Sequence, residues 1–256
     1  FDIPRISEQR FNEFRPFGRI GNLPDDAKLT AIQSRIVSVI KSGVAAVDPA
    51  ELAALDALQG RIYYLDFEAV QPAIPVFPGT SPYQKHPFQY SLHIENDGAL
   101  THREHLADSA VDWRRPLAER LLDDLGTTGR IVVYSNYEAL VLGQRAAWFP
   151  DLGPRIEAVI ARLFDLEKVV KNGYVHPGFR GRTSIKKVLP VMAPEFSYRD
   201  LEVSGGEDAA GVFALIWSGV YPAADHARHR GSLLKYCARD TLAMVKVHQG
   251  LRDLRR

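Results

Sequence analysis

Ile62-Tyr63-Tyr64-Leu65-Asp66-Phe67-Glu68 is a continuous run of aromatic and branched side chains that contains only two acids. Such a run predicts a strand that is buried on both faces of a sheet. Asp66 and Glu68 are two residues apart, so in a strand they point to the same side. Two adjacent carboxylates in a buried strand repel each other and are costly to remove from water, and a divalent cation is the usual remedy. The run therefore predicts a metal site on a buried strand, with the rest of the chain arranged around it.

The composition is that of an ordinary globular protein and excludes several other classes. The 256 residues are 46% hydrophobic and 25% charged, which suits one large domain or a domain with an appendage. No apolar run approaches the roughly 18 residues of a membrane span, so no membrane association is expected. The formal net charge is +1, so any basic surface for nucleic acid must be local.

The cysteine content bears on the compartment. A single cysteine, Cys237, excludes an internal disulfide and a multi-cysteine zinc site. This usage fits a reducing environment, and we expect a cytoplasmic protein. The sequence begins at Phe1 rather than at a methionine, which leaves room for other domains in a longer parent chain.

Helical patterns fill the first part of the chain, and strand patterns begin at Arg61. We interpret residues 1–60 as an N-terminal helical extension or linker, because apolar residues recur there at helical spacing without recognisable chemistry. The predicted strands cover residues 62–68, 88–94, 100–106 and 131–134. The order βββαβα followed by helices predicts an α/β domain over 61–256, with a mixed β-sheet flanked by α-helices.

Two further segments supply candidates for the same site. Tyr236 and Asp240 are four residues apart on a predicted helix and therefore share one face. Tyr134-Ser135-Asn136-Tyr137-Glu138 lies at a predicted strand-to-helix junction and contributes another acid.

This set of motifs resembles the DEDD superfamily of 3′–5′ exonucleases. The resemblance consists of Asp-x-Glu on the first strand, an acid just after a mid-domain strand, and Tyr-x-x-x-Asp on a late helix, and the tyrosine points to the DEDDy branch. The segments LDFE, PFQYSLHI, YSNYE, SIKKVLP and YCARDT also look like a bacterial domain family of unknown function within that superfamily. The resemblance covers about Arg61 to Leu251 and implies a ribonuclease H-like fold.

The resemblance also implies hydrolysis of phosphodiester bonds with two metal ions. Asp66 would bridge two Mg²⁺ or Mn²⁺ ions, with Glu68 and Asp240 completing the shell of one ion and Glu138 that of the other. Hard oxygen ligands suit these ions and argue against zinc or copper. Tyr236 would orient the attacking water, since an ordinary tyrosine pKa of about 10 makes it a poor general base.

Glu138 has two competing interpretations. The superfamily usually has Asp at this position, and Ser135-x-x-Glu138 also matches a capping box, in which the glutamate only satisfies the start of a helix. Asp165, in Phe164-Asp165-Leu166, is the alternative acid, because that segment resembles one in the superfamily that more often supports the fold.

Two sets of residues are candidates for substrate binding. Arg182 and Lys186 belong to a local basic patch that could hold a nucleic-acid backbone, and the alternative is a solvated helix face. Phe88 and Gln89 on the second predicted strand could line the cleft, with aromatic stacking on a terminal base, and the alternative is an ordinary sheet core.

The sequence thus predicts a metal-dependent 3′–5′ exonuclease that acts on DNA or RNA, with single-stranded ends favoured. The alternative is a nucleic-acid-binding module of a larger protein that retains the fold but has weak or no catalysis. Glu138 in place of Asp keeps this alternative open.

Overall fold

The structure, a computed structural model, describes residues 3–108 and 111–255. The α-helices, in chain order, are α1 (Glu8–Phe14), α2 (Ala31–Ser42), α3 (Pro49–Leu52), α4 (Arg114–Leu125), α5 (Tyr137–Trp148), α6 (Gly153–Ile160), α7 (Leu166–Gly173), α8 (Ile185–Met192), α9 (Gly206–Trp217) and α10 (His226–Asp253). The strands are β1 (Ala46–Val47), β2 (Ile62–Val70), β3 (His86–Asn96), β4 (Ala99–Leu106), β5 (Arg130–Val133), β6 (Leu163–Asp165) and β7 (Tyr174–Val175).

Contacts along the backbone divide the chain into two compact units. The first unit contains Phe1–Asp56, Glu167–Phe196 and Lys246–Arg256, and the second contains Ala57–Leu166 and Ser197–Val245. The first unit therefore joins the N-terminal segment to two segments that sequence reasoning assigned to the main domain. The predicted division into 1–60 and 61–256 stays a prediction. Among the residues described, none of the helices combines the length and apolar character needed to span a bilayer.

The second unit is built on a five-stranded mixed sheet in the order β4-β3-β2-β5-β6. β2 pairs antiparallel with β3 and parallel with β5, and β5 pairs parallel with β6. β2 therefore lies in the middle of the sheet, as its continuous apolar sequence predicted. These features confirm the predicted fold class, a mixed α/β sheet flanked by helices, and are consistent with a ribonuclease H-like arrangement.

The two faces of β2 have different partners. Tyr63, Leu65 and Phe67 belong to the main hydrophobic core, which also takes in apolar side chains of α4, α5, α6 and α9. Because side chains alternate along a strand, Asp66 and Glu68 lie on the opposite face. β3 and β4 form a hairpin whose Asp97-Gly98 turn has φ of 50° and 81°, the positive values that a tight two-residue hairpin requires.

The first unit is a small helical body with its own core. α2 begins with a complete capping box between Thr30 and Gln33. A two-stranded antiparallel sheet joins β1 to β7. The buried residues of this core are Ile3, Phe14, Ile20, Leu23 and Val37.

Candidate metal centre

β2 presents two carboxylates beside a thiol from α10. One ligand atom from each of Asp66, Glu68 and Cys237 lies within 4.8 Å of the others. The sulfur of Cys237 is 3.8 Å from Oδ2 of Asp66 and 3.8 Å from its main-chain oxygen. Asp66 and Glu68 thus converge on one side of the strand, as their spacing predicted.

The strand changes its register immediately after the second acid. A β-bulge separates Glu68 from Ala69 in the pairing with β3, which ends the regular ladder next to the carboxylates. The backbone at the start of α9 also approaches here, because a Cβ on Gly206 would lie 3.5 Å from Oε2 of Glu68. The first turn of α9 therefore places the positive end of a helix close to this carboxylate.

Buried hydrogen bonds fix α10 against the face of the sheet that carries the acids. The hydroxyl of Thr241 lies 2.7 Å from the hydroxyl of Ser91 and 2.7 Å from Nδ1 of His93, and all three side chains are buried. Nε2 of Gln89 donates a 3.0 Å hydrogen bond to the main-chain oxygen of Leu233. Ser91 pairs with Asp66 across the β2–β3 ladder, so these bonds position α10 directly over the acids.

Asp240 on α10 accepts a hydrogen bond from a tyrosine that sequence reasoning missed. The hydroxyl of Tyr198 donates to Oδ1 of Asp240 over 2.6 Å. Burial, followed by the charge of Asp240 and this hydrogen bond, raises the pKa of Tyr198, so the phenol stays protonated. The loop that carries Tyr198 is tied to α10 by Arg239, which binds Asp200 through two hydrogen bonds of 3.0 and 2.8 Å.

Tyr236, one turn before Asp240, is also next to the acids. Its side chain is 3% exposed, and its ring centroid is 6.3 Å from that of Tyr198. Burial raises the pKa of Tyr236, and the charges of Asp240, Glu68 and Asp66 raise it further. Tyr236 is therefore a neutral hydrogen-bond donor at physiological pH, which agrees with an orienting role and not with that of a base.

Glu138 enters from the start of α5 and is 3% exposed. Ser135, with φ of 140°, is in a strained conformation between β5 and α5, and its hydroxyl accepts a hydrogen bond from the main-chain nitrogen of Tyr137. The helix cap is Asn136, and among the described residues the capping box proposed as an alternative for Ser135 and Glu138 is not formed. The Glu138 carboxylate therefore forms no capping box with Ser135, although a main-chain hydrogen bond from Glu138 itself lowers its pKa.

The environment of Glu138 disfavours its ionised form. Oε2 is buried, and no hydrogen-bond partner for it occurs in the described part of the chain. Burial raises the pKa of Glu138 to about 8, and the nearby charge of Asp165 adds to the increase, whereas Lys85 acts in the opposite direction. Asp165 ends β6 beside Val133 of β5, so both candidates for the second acid lie in the same region.

The four predicted acids are close enough to repel one another and therefore form one cluster. The pKa of Asp66 is raised well above its usual value, first by burial and then by the charges of Asp240, Glu68 and Glu138. The structure thus brings together the predicted residues of β2, α5 and α10. A cation among these oxygens would remove the repulsion that the carboxylates experience when they are ionised.

The donor set suits a hard divalent cation. Carboxylate oxygens predominate, and the unsatisfied Oε2 of Glu138 is an acceptor that lacks a donor among the described residues. Burial and the charges of Asp66, Glu68 and Asp240 raise the pKa of the Cys237 thiol well above its usual value. Cys237 therefore remains a protonated thiol beside Asp66, and the residues present fit Mg²⁺ or Mn²⁺ better than a thiophilic ion.

The predicted substrate residues lie in different settings. Phe88 is fully buried and stacks on Phe213 with ring centroids 4.0 Å apart, so it has no ring face for a base. Gln89 is also fully buried, where it bonds to α10. This placement corresponds to the alternative of an ordinary sheet core. Arg182 and Lys186 are exposed residues of the first unit, and their contact with substrate stays a prediction.

Three residues near the acids were not identified from the sequence. Tyr198 has no local motif, because its partner Asp240 is 42 residues away. Lys85 lies 4.2 Å from the ring centroid of Tyr137, and its charge lowers the pKa of Glu138. Tyr137 could have been suspected from its position next to Glu138, and burial, followed by the charges of Asp66, Glu68 and Glu138, raises its pKa.

Comparison with known proteins gives one result. A family model described as a domain of unknown function (DUF2779) matches residues 63–184. Neither the curated proteins nor the solved structures gave a match. The matched region includes Asp66, Glu68, Glu138 and Asp165 but ends before Tyr236 and Asp240. The chain is therefore similar to that family over β2 to the start of α8, and the family description assigns no activity.

Proposed function

We propose that this protein is a metal-dependent 3′–5′ exonuclease of the DEDDy type that hydrolyses phosphodiester bonds of DNA or RNA. The observation that carries the proposal is the convergence of Asp66, Glu68, Glu138 and Asp240, from three separate elements, on one acidic cluster in which Glu68 and Glu138 are buried and the two aspartates are partly buried. Buried carboxylates that repel one another are costly to the fold, and such a cluster is characteristic of a site that binds cations.

Each residue of the cluster has a role in this proposal. Asp66 lies among the other acids, and together with Glu68, Asp240 and Glu138 it would hold the two cations. Two bound Mg²⁺ or Mn²⁺ ions would supply an activated water and stabilise the leaving 3′ oxygen. The protonated hydroxyl of Tyr236 would hold the attacking water by a hydrogen bond.

The substrate and setting follow from the same residues. A 3′ end must enter the site, so single-stranded DNA or RNA is the favoured substrate. The one cysteine is buried and unpaired, which is compatible with action in the reducing cytoplasm.

The experiment is to incubate 5′-labelled single-stranded DNA and RNA with the protein in Mn²⁺, in Mg²⁺ and in EDTA. We expect a metal-dependent ladder that shortens from the 3′ end and is absent with Asp66→Asn. Asp123→Asn is the matched control, since Asp123 is an exposed acid of the same unit, paired with Arg155. Intact label in every lane would refute the exonuclease, and binding without cleavage would favour the catalytically inactive module.

The Asp66→Asn variant should fold, which makes the test clean. The raised pKa of Asp66 means that the folded chain favours the neutral side chain, and asparagine is neutral and of the same size. We expect its melting temperature in EDTA to equal or exceed that of the unmodified protein.

A further inference from the structure

The net charge of +1 conceals an opposition between the two units. The first unit has 17 Lys and Arg against 11 Asp and Glu, a net charge of +6, whereas the second has 15 against 20, a net charge of −5. The candidate metal centre belongs to the negative unit. Asymmetry of this kind indicates a polyanionic partner for the positive part of a chain.

The positive unit contains an open groove with a volume of about 640 Å³. Its walls come from the short helix Ile20–Asn22, the end of α2 and the turn Pro177–Phe179. Three cationic side chains line it, namely Arg19, Lys41 and Arg180. We name this feature the Arg19–Arg180 groove.

Among the described residues, two of the three cations have no acid to neutralise them. Lys41 is paired with Asp25 over 2.7 Å. Arg19 and Arg180 are exposed, and within the described part of the chain neither forms an ion pair. Two unpaired guanidinium groups on one groove can bind phosphate oxygens through parallel hydrogen bonds.

The backbone at Arg180 is held in a conformation that few side chains adopt. Its φ is 50°, in the left-handed region, and Gly181 follows with a φ of 70°. Gly18 and Gly21 also line the groove and present backbone without side chains. The groove therefore has few bulky side chains and several cationic ones. This combination allows an extended, negatively charged chain to approach the backbone closely.

Further cations continue from the groove along the chain. Between Lys168 and Pro194 there are six Lys and Arg and no Asp or Glu. Arg182, Lys186 and Lys187 of this segment are exposed. The segment that supplies Arg180 to the groove thus carries further exposed cations.

We infer that the Arg19–Arg180 groove binds the phosphodiester backbone of a single nucleic-acid strand without reading its sequence. The identity of the polyanion rests on the proposed function, whereas its anionic character rests on the charges of the groove and of the first unit. Contacts of this kind hold and orient a strand, and they weaken steeply with salt.

The test is a binding measurement on the full chain that carries Asp66→Asn, in EDTA, with 5′-fluorescent 20-nucleotide DNA and RNA. Fluorescence anisotropy is recorded over a series of salt concentrations. We expect the added pair Arg19→Ala/Arg180→Asn to weaken binding about tenfold or more at low salt. It should also reduce the slope of log K against log[salt] by about 1.4, which is two single-strand phosphate contacts. Asparagine is chosen at position 180 because it tolerates positive φ.

The matched control is the pair Arg10→Ala/Arg155→Ala, which removes the same charge from a partly exposed and an exposed arginine that are already paired with Glu13 and Asp123. Equal effects of the two pairs, or an unchanged salt slope, would overturn the inference. The inference would also be overturned if the protein bound phosphatidylserine vesicles through Arg19 and Arg180 and did not bind nucleic acid. Circular dichroism melting verifies that both pairs fold.

The outcome for the groove can be distinguished from the outcome for the proposed exonuclease activity. If the unmodified protein cleaves in Mn²⁺ but nucleic-acid binding does not depend on Arg19 and Arg180, the inference about the groove is refuted and the proposed exonuclease activity stands. If binding depends on these arginines but no metal supports cleavage, the proposed exonuclease activity is refuted and the inference about the groove stands.

Discussion

The hydroxyl of Tyr198 donates a 2.6 Å hydrogen bond to Oδ1 of Asp240. This bond fixes the orientation of the Asp240 carboxylate, which lies next to the acids of β2. The donor, Tyr198, belongs to a loop outside every predicted motif. Groups that orient ligand carboxylates contribute to metal affinity even though they do not touch the ion. Tyr198 is thus a positioning residue for the proposed metal centre.

Removing the Tyr198 hydroxyl should weaken cation binding without unfolding the protein. We expect Tyr198→Phe to lower the affinity for Mn²⁺ about tenfold or more, measured by isothermal titration calorimetry. Tyr90→Phe is the matched control, because the Tyr90 hydroxyl makes an equally short bond of 2.6 Å to Asp124, away from the acidic cluster. Equal Mn²⁺ affinities for the two variants would show that Tyr198 has only a structural role.

The second acid can be identified by comparing two isosteric variants. We expect Glu138→Gln to reduce cleavage at saturating Mn²⁺ by at least about 100-fold, because Glu138 is the buried acid whose Oε2 has no donor among the described residues. Asp165→Asn should have a much smaller effect, since Asp165 is only partly buried at the end of β6. Cleavage that is lost only in Asp165→Asn would show that our assignment of the second acid is wrong.

The sequence predicted those parts of the fold that depend on local patterns. The apolar run around Asp66 identified the central strand, and Asp97-Gly98 is the kind of turn that ends the second strand and starts the third. α10 begins at His226 and continues through Gly231, a residue that weakens a helix locally, because the helix packs on the sheet.

Local sequence patterns predicted only part of the candidate site. Asp66, Glu68, Tyr236 and Asp240 follow from strand and helix spacing, and these regular periodicities can be read from sequence. The role of Phe88 depended on which face of β3 meets the core, and this is set by α9, which supplies Phe213. Tyr198 depended on a loop held by Arg239 and Asp200, and such long-range pairs leave no local signal.

The raised pKa of Glu138 predicts how stability depends on pH in the absence of metal. Its pKa is about 8 in the folded chain against 4.5 as the ordinary value, so the folded state binds a proton more tightly than the unfolded state. This contribution to stability is complete below pH 4.5 and is lost as the pH rises through 8. The free energy of unfolding in EDTA should therefore fall between pH 5 and pH 8.

Glu138→Gln should remove the part of this dependence that Glu138 contributes, while the part due to the raised pKa of Asp66 remains. We expect the variant to match the unmodified protein at pH 5 and to exceed it at pH 8 by a few kcal/mol, because each pKa unit corresponds to about 1.4 kcal/mol. Urea unfolding at both pH values measures the difference. Glu119→Gln is the control, since Glu119 is half exposed and paired with Arg115, and it should change neither value. A difference that is the same at pH 5 and pH 8 would contradict the assigned pKa shift.

Arg145 on α5 provides a test of stability that is independent of the proposed activity. Its side chain is 3% exposed, and for Nε, Nη1 and Nη2 the described residues offer no hydrogen-bond acceptor. The guanidinium lies 4.5 Å from the ring centroid of Trp148 and beside a small apolar cavity with room for about one water molecule. Burial lowers the pKa of Arg145 to about 10, so the group is still charged at neutral pH.

A buried cation without acceptors costs stability, whereas an apolar chain of similar length can fill the same space. We expect Arg145→Met to raise the free energy of unfolding at pH 7 by about 1–3 kcal/mol, measured by urea unfolding. Arg155→Met is the control, because Arg155 is half exposed and paired with Asp123, and its effect should stay within about 0.5 kcal/mol. A loss of stability in Arg145→Met would mean that the guanidinium binds water or an anion in the folded protein, and the gain expected here would then be refuted.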